Sequence, residues 1–246
     1  SDLDAGKVLC GSRPPVPYDL LSINIGSIPT TAGVPGAAEY VTPVKPITRF
    51  VDYWTGVSAS VLAHHGPMRI GVVGAGAGGV EMTLAIQYRL KHLLAERGRD
   101  ANHLEFHLIS NTETILPAFN RTAREKFHRT LAQRDVVVHT GRDVTKVEAN
   151  DILYADGSHL PLDEIFWVTA AGAATWLAET GLDVDAEGFV RLKDTLQSTS
   201  HPEVFAAGDI AAVVDHPRPK AGVFAVRQGK PLANNLRRAL TGRALK

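Results

Sequence analysis

Cysteine is nearly absent from this sequence: its 246 residues include one, Cys10. A lone cysteine excludes an internal disulfide and a redox-active cysteine pair within this chain, and makes a reducing compartment the default. Excess charge is missing too, because 26 Lys and Arg balance 26 Asp and Glu. No global field therefore draws the chain to nucleic acid or to anionic lipid. There is no apolar run of about 18 residues or more, and the start, SDLDAGKVLC, lacks the basic and apolar regions of a signal peptide. The expectation is a soluble, cytoplasmic chain. What it does contain is 22 glycines and 44% apolar residues, which suit an α/β protein of one large domain or two small ones.

Two segments share a pattern at a constant offset of 144 positions (147 − 3). LDAGKVLCGSRPPVPYDLLSINIG begins at Leu3 and VEANDILYADGSHLPLDEIFWVTA at Val147. Leu3, Asp4, Ala5, Val8, Leu9, Pro17 and Asp19 face Val147, Glu148, Ala149, Ile152, Leu153, Pro161 and Asp163. Each segment reads as a short hairpin, a turn, and a buried strand ending near a glycine, Gly26 or Gly172. Both glycines count among the candidate cofactor-binding residues. Chance similarity of two hairpin-plus-strand units is one explanation, and internal duplication of a domain is the other. Under duplication the first copy enters late, and its leading βαβ part is expected to be missing.

Between the copies, residues 47–64 read as a Pro-initiated helix closed by Gly66-Pro67. Beyond it a strand at 68–73, a helix at 77–96, a strand in LEFHLIS, an amphipathic helix in NRTAREKFHRTLAQ and a strand in DVVVHT alternate. This alternation predicts a parallel sheet, with an antiparallel meander over 143–160 and a closing strand in EIFWVTAA. A final helix is expected over 222–240.

The stretch GVVGAGAGGVE places Gly74, Gly76 and Gly79 in G-x-G-x-x-G spacing after a strand and at the opening of a helix. In that setting the three glycines serve, in turn, the tight turn, the close approach of a pyrophosphate, and close helix packing. The helix N-terminus adds free N–H groups and partial positive charge for the phosphates. The adenosine ribose is usually read by an acid at the end of the second strand. Here that end is Ser110 and Asn111, with Glu113 further along and no arginine following closely. NADH and NADPH both stay open, with a lean to NADH.

A second stretch, VFAAGDIA, ends a short apolar strand in Gly208 and Asp209. Alone, Asp209 reads as a turn or capping residue. Together with the glycine loop, the repeated pattern, YDLLSINIGSIP and KAGVFAVRQGKPLANNL, it gives nearly the whole chain a resemblance to the FAD-dependent pyridine nucleotide-disulfide oxidoreductase superfamily. The chain is most similar there to type II NADH dehydrogenases and the oxidoreductases linked to selenide, water dikinase. The resemblance implies a Rossmann-like NAD(P)-binding domain inserted in an incomplete FAD-binding domain. It places a remnant of the FAD domain and a connecting helix at 1–66, the NAD(P) domain at 67–200, and a return to the FAD domain at 201–246.

By the same resemblance Asp209 bonds the FAD ribityl chain, Gly208 lets the backbone approach, and Gly26 and Ser27 lie near the FAD pyrophosphate. The helix starting at Gly222 and Val223 points its N-terminus at the flavin edge that becomes negative on reduction. Glu81 matches a position close to the nicotinamide and flavin rings, and equally suits an acid at a helix N-terminus. The implied activity is hydride transfer from NAD(P)H to flavin and on to a small-molecule acceptor, a quinone being one candidate. The resemblance also leaves room for a homo-oligomer and for peripheral membrane contact of a longer product. The alternative is a non-catalytic NAD(H)-binding module or fragment that does not hold FAD. His103 and His107 flank a predicted strand, where they lie too far apart to share a metal, and the adjacent His64 and His65 point apart on a helix, so no metal site is expected. Trp54, Trp167 and Trp176 read as core or interface residues.

Overall fold

The protein is described by a computed structural model covering residues 2–29, 31, 33–44, 47–169 and 171–246. Its contacts divide the chain into unit 1, Ser1–Ile28 with Ala171–Lys246, and unit 2, Pro29–Ala170. The chain opens with β1 (Lys7–Cys10), β2 (Arg13–Pro17), β3 (Leu21–Ile23) and β4 (Ile28–Pro29). Next come α1 (Ala37–Tyr40), β5 (Thr42–Pro43), α2 (Ile47–Ala63), β6 (Met68–Val73), α3 (Ala77–Ala95), β7 (Leu104–Ile109), α4 (Arg121–Gln133) and β8 (Val136–His139). The meander β9 (Val144–Glu148), β10 (Asp151–Tyr154) and β11 (His159–Pro161) leads to β12 (Glu164–Trp167). The chain then supplies β13 (Ala171–Gly172), a 3₁₀ turn (Thr175–Thr180), β14 (Val190–Leu192), β15 (Val204–Ala206), a 3₁₀ turn (Gly208–Ile210), β16 (Ala211–Val213) and α5 (Gly222–Leu240).

Unit 2 is built on a parallel sheet of order β5-β12-β6-β7-β8. Strands β6 and β7 are buried at every position but their second, as expected where both faces are covered. On one face Ile70, Val72, Phe106 and Leu108 pack with Val57 and Val61 of α2, Val80, Ile86, Leu90 and Leu94 of α3, and Leu131 of α4. On the other, Val73, Ile109, Ile165 and Trp167 meet Val144, Val147, Ile152 and Leu162 of the antiparallel meander. The spacing of three and four between Val80, Thr83, Ile86, Gln87, Leu90 and Leu94 explains which stripe of α3 turns inward. Helix α4 starts at Asn120, whose side chain accepts the Ala123 N–H at 2.9 Å.

Unit 1 pairs β3 with β15 and β14 with β16, each in parallel, around a core of Leu3, Ile23, Leu177, Phe189, Leu192, Val204 and Ile210. Its hairpin aligns Lys7 with Pro17 and Val8 with Val16, while in unit 2 Asp151 aligns with Pro161 and Ile152 with Leu160. These two pairs of each hairpin therefore correspond at the offset seen in the sequence, and the first hairpin then shifts register between Val8 and Cys10.

The units defined by contacts end at 28/29 and 170/171, and the domain limits that the resemblance implies lie at 66/67 and 200/201. The difference has a packing cause. Strand β5 pairs β12 and α2 joins the core of unit 2, while Leu177, Leu182, Phe189 and Leu192 join the core of unit 1. Pro46 of the expected helix start and Ala170 of the expected closing strand lie outside the described residues. Trp167 is buried and Trp54 packs on the unit 2 core, but Trp176 is 43% exposed. No helix among the described residues is long and apolar enough to cross a membrane.

Candidate functional site

The glycine loop follows the carboxyl end of β6 and opens α3, as the spacing predicts. Gly74 has φ +112°, and a Cβ there would stand 2.4 Å from the Val168 carbonyl oxygen, so the turn requires glycine. A Cβ at Gly79 would come within 1.6 Å of the Gly74 oxygen, which keeps helix and strand in close contact. Around Gly76 nothing lies within 4 Å of an added Cβ: this side of the loop is open. Gly76 is also the N-cap of α3 and has no side chain to bond the first-turn N–H groups. An open backbone surface beside unbonded N–H groups at a helix start is what a pyrophosphate requires, so the cradle fits a dinucleotide. Two hydrogen bonds steady it: Thr83 Oγ1 donates to the Gly79 oxygen at 2.8 Å, and the Leu116 N–H donates to the Ala75 oxygen at 2.8 Å.

Ser110 lies where β7 ends, buried, its N–H donating to the His139 oxygen at 2.8 Å. Its hydroxyl sits 2.8 Å from Thr112 Oγ1 and accepts the Thr112 N–H at 3.2 Å. Glu81 is exposed on the second turn of α3. Gly172 belongs to unit 1, in β13 beside β4.

In unit 1 the parallel pair β3 and β15 brings together residues 182 positions apart: Ser27 Oγ donates to Asp209 Oδ2 at 3.0 Å. Gly26 has φ +74° with open space at its Cβ position, and Gly208 has φ +78°. Two further groups clamp Gly208. A Cβ there would lie 2.5 Å from Asn24 Oδ1, and the Gly208 N–H donates to Gln228 Oε1 at 2.7 Å. Sequence reasoning missed both; the one signal was a polar Asn24 at the end of an apolar strand. Helix α5 begins at Gly222 and Val223 with Ala221 as N-cap, so again no side chain occupies the first-turn N–H groups. Glycine backbone with open approach, a carboxylate, and an uncapped helix start in one unit fit the ribityl and pyrophosphate parts of a flavin nucleotide. Nearby, Lys220 Nζ donates to the Ala211 oxygen at 2.7 Å and lies 3.9 Å from the Phe189 ring centre; burial lowers its pKa.

One cluster lies apart from these loops. His107, inside β7 rather than flanking it, places Nδ1 3.0 Å from His139 Nε2 on β8, with the rings stacked at 5.3 Å. Burial lowers both pKa values, helped at His107 by His139 and at His139 by Arg142. Among the described residues no group of three or more metal-ligating side chains forms a metal site.

A parallel sheet carrying a glycine-rich turn into a helix, with a second glycine-aspartate turn beside a parallel strand pair, defines the α/β dinucleotide-binding flavoprotein class. The chain belongs to the pyridine nucleotide-disulphide oxidoreductase family, whose profile it matches over residues 1–229. It is 25% identical to the type II NADH:quinone oxidoreductase of Haemophilus influenzae over 88% of this chain and 58% of that protein. In structure it resembles a FAD-dependent pyridine nucleotide-disulphide oxidoreductase from Desulfovibrio vulgaris, with TM-score 0.66 and 24% identity over 96% of this chain and 59% of that one. NDH2 from Plasmodium falciparum in complex with NADH is similar with TM-score 0.67 and 16% identity, over 81% of this chain and 45% of that one. The chain thus spans a little under three fifths of the curated relative's length.

Proposed function

We propose that the chain is the nucleotide-binding body of an NAD(P)H-dependent FAD oxidoreductase whose acceptor is a quinone. The observation that carries this reading is the division of labour in the glycine loop, where Gly74 and Gly79 are sterically required and Gly76 leaves an open backbone approach. When bound, a nicotinamide nucleotide would supply hydride chemistry and a flavin the capacity to take up and release electrons. The residues of the chain bind and orient. Gly74, Gly76 and Gly79 with the first turn of α3 hold the NAD(P)H pyrophosphate, Ser110 closes the ribose end, and Glu81 stands beside the nicotinamide. Gly26, Ser27, Gly172, Gly208 and Asp209 hold the flavin nucleotide. The start of α5, at Gly222 and Val223, directs its positive end toward the flavin edge that gains charge, favouring the reduced form.

The quinone rests on the names of the curated relatives, and a cytoplasmic setting rests on the single cysteine. Visible absorbance of the purified chain, before and after adding FAD, tests the cofactor part. A resolved flavin band that bleaches with NADH supports the reading; no band in excess FAD removes FAD binding from this chain. Failure of the full-length protein to reduce any quinone analogue with NAD(P)H removes the quinone.

A further inference from the structure

Strand β8 is the outer strand of the unit 2 sheet and ends at His139. Its last rung is made there, where the Ser110 N–H donates to the His139 oxygen at 2.8 Å. Just beyond, the Arg142 N–H donates to the Ser110 oxygen at 2.8 Å and the Gly141 N–H to the Thr112 oxygen at 2.9 Å. These three bonds hold residues 110–112 against residues 139–142, at the carboxyl end of the sheet, where a nucleotide on the glycine loop presents its adenosine ribose. One side-chain contact underlies this junction. His107 Nδ1 lies 3.0 Å from His139 Nε2, across the same two strands. The His107 ring is buried, and its far nitrogen, Nε2, has no hydrogen-bond partner among the described residues.

A hydrogen bond between two imidazole nitrogens needs one N–H and one bare nitrogen. A first proton can enter at an outer nitrogen and leave that bond intact. A second sets N–H against N–H and one positive charge against another. No neighbouring carboxylate is free to hold two imidazolium rings together. Glu105 Oε2, 3.9 Å from His107 Nε2, is paired with Arg69 Nε at 2.9 Å, and Asp163 accepts the Arg69 backbone N–H at 2.7 Å. Arg142, whose charge acts on His139, is paired with Asp156 and covers the ring of Tyr154. Burial pushes the Tyr154 pKa up to about 12, so this phenol stays neutral throughout. The outer strand has four residues and, among the described residues, no strand beyond it, so its end belongs to the part of the sheet that opens most readily.

We infer that His107 and His139 are positioning residues: their hydrogen bond keeps the ends of β7 and β8 together so that Ser110 closes the adenosine end of the nucleotide site, and double protonation parts them and releases the nucleotide. This rests on the proposed nucleotide site and adds its control by pH. Only the closed junction binds and only the open one takes the second proton, so binding and proton release are linked, at up to about tenfold in affinity per pH unit for each proton. The test is calorimetric titration with ADP-ribose, a probe of the adenosine end, from about pH 7.5 to about pH 5.5 on wild type and His139→Gln, in buffers of different ionisation enthalpy. A thermal scan of each sample sets the lower limit of that range where both proteins remain folded. Glutamine carries no titrating group, and its oxygen accepts from His107 whether or not that ring is protonated. Wild-type affinity is expected to fall roughly tenfold over the range, with net release of protons on binding near pH 6. His139→Gln is expected to bind within about threefold of wild type at about pH 7.5 and to keep that affinity in acid without proton release; His107→Gln takes its place if it does not fold. Wild-type affinity that does not change with pH, or an equal fall with equal proton release in the variant, overturns the inference and leaves the nucleotide site standing. No binding of ADP-ribose by wild type at any pH removes the nucleotide site, and this inference with it.

Discussion

Substituting Gly76 and Gly79 separately should split binding from stability, though the two lie three residues apart in one loop. Gly76 has φ −70° and ψ −175°, a conformation open to any residue, and an added methyl meets nothing within 4 Å. Alanine is a poorer N-cap than glycine by roughly 0.5–1 kcal/mol. Restricting the unfolded chain returns about 0.4–1 kcal/mol. Gly76→Ala should therefore melt within about 2 °C of wild type. Its methyl, however, fills the approach taken by the pyrophosphate, and NADH affinity should fall by roughly 30- to 100-fold, the equivalent of about 2–3 kcal/mol. At Gly79 the methyl would overlap the Gly74 carbonyl at 1.6 Å, and because the obstacle is backbone it cannot swing aside. About 1 kcal/mol of added helix propensity does not offset this, and a net loss of roughly 3 kcal/mol lowers Tm by about 6–12 °C. Circular-dichroism melts with fluorescence titration of NADH give both readouts. A Gly79→Ala protein as stable as wild type, or a Gly76→Ala protein that binds NADH unchanged, would refute the roles given to these two glycines.

Other consequences can be checked with similar means. Asp209→Asn should weaken FAD retention more than Ser27→Ala does, since the serine supports the carboxylate through one 3.0 Å bond; flavin absorbance after gel filtration measures both. Gln228→Ala leaves the Gly208 N–H without its acceptor and should cost about 1 kcal/mol, read as a lower Tm, with FAD retention falling alongside. The His107–His139 pair makes acid destabilising. Both groups titrate lower in the fold than the ordinary value of 6.5, so the unfolded chain binds protons first. The stability they contribute is present above pH 6.5 and lost as pH falls toward their lowered values. Tm should therefore decline below that pH and flatten in His139→Gln; a wild-type Tm independent of pH between 7 and 5 contradicts the assignment.

Much of this was legible because local chemistry and tertiary context agreed. The spacing of Gly74, Gly76 and Gly79 followed a strand and opened a helix in sequence and in structure alike. The offset between the two hairpin segments survives as a shared register in the first two pairs of each hairpin, since a period-two pattern fixes which residues face inward. What sequence could not supply were contacts made across distance. Gln228 meets Gly208 from two turns into a helix, and nothing in VRQGK marks it. His107 meets His139 only because β7 and β8 align in parallel, with Ile109 beside His139. The contact-based unit division rests on the same kind of contact: the two-residue strand β5 is too short to carry a periodicity, and its pairing with β12 ties it to unit 2.

The insertion of one unit within the other sets an order on synthesis. Leu21 of β3 finds its partner, Val204, only when about 180 further residues have left the ribosome, which at 5–20 residues per second takes roughly 10–40 s. Unit 2 is continuous and can fold in that interval, and its folding shortens the loop that β3 and β15 must close. Meanwhile Leu3, Leu21 and Ile23 lack the partners that the stretch from residue 171 onward supplies. The composition of β2 suits such a wait. Three of its five residues, Pro14, Pro15 and Pro17, have no N–H to donate, so this part of the waiting chain is a poor template for pairing with a neighbouring copy.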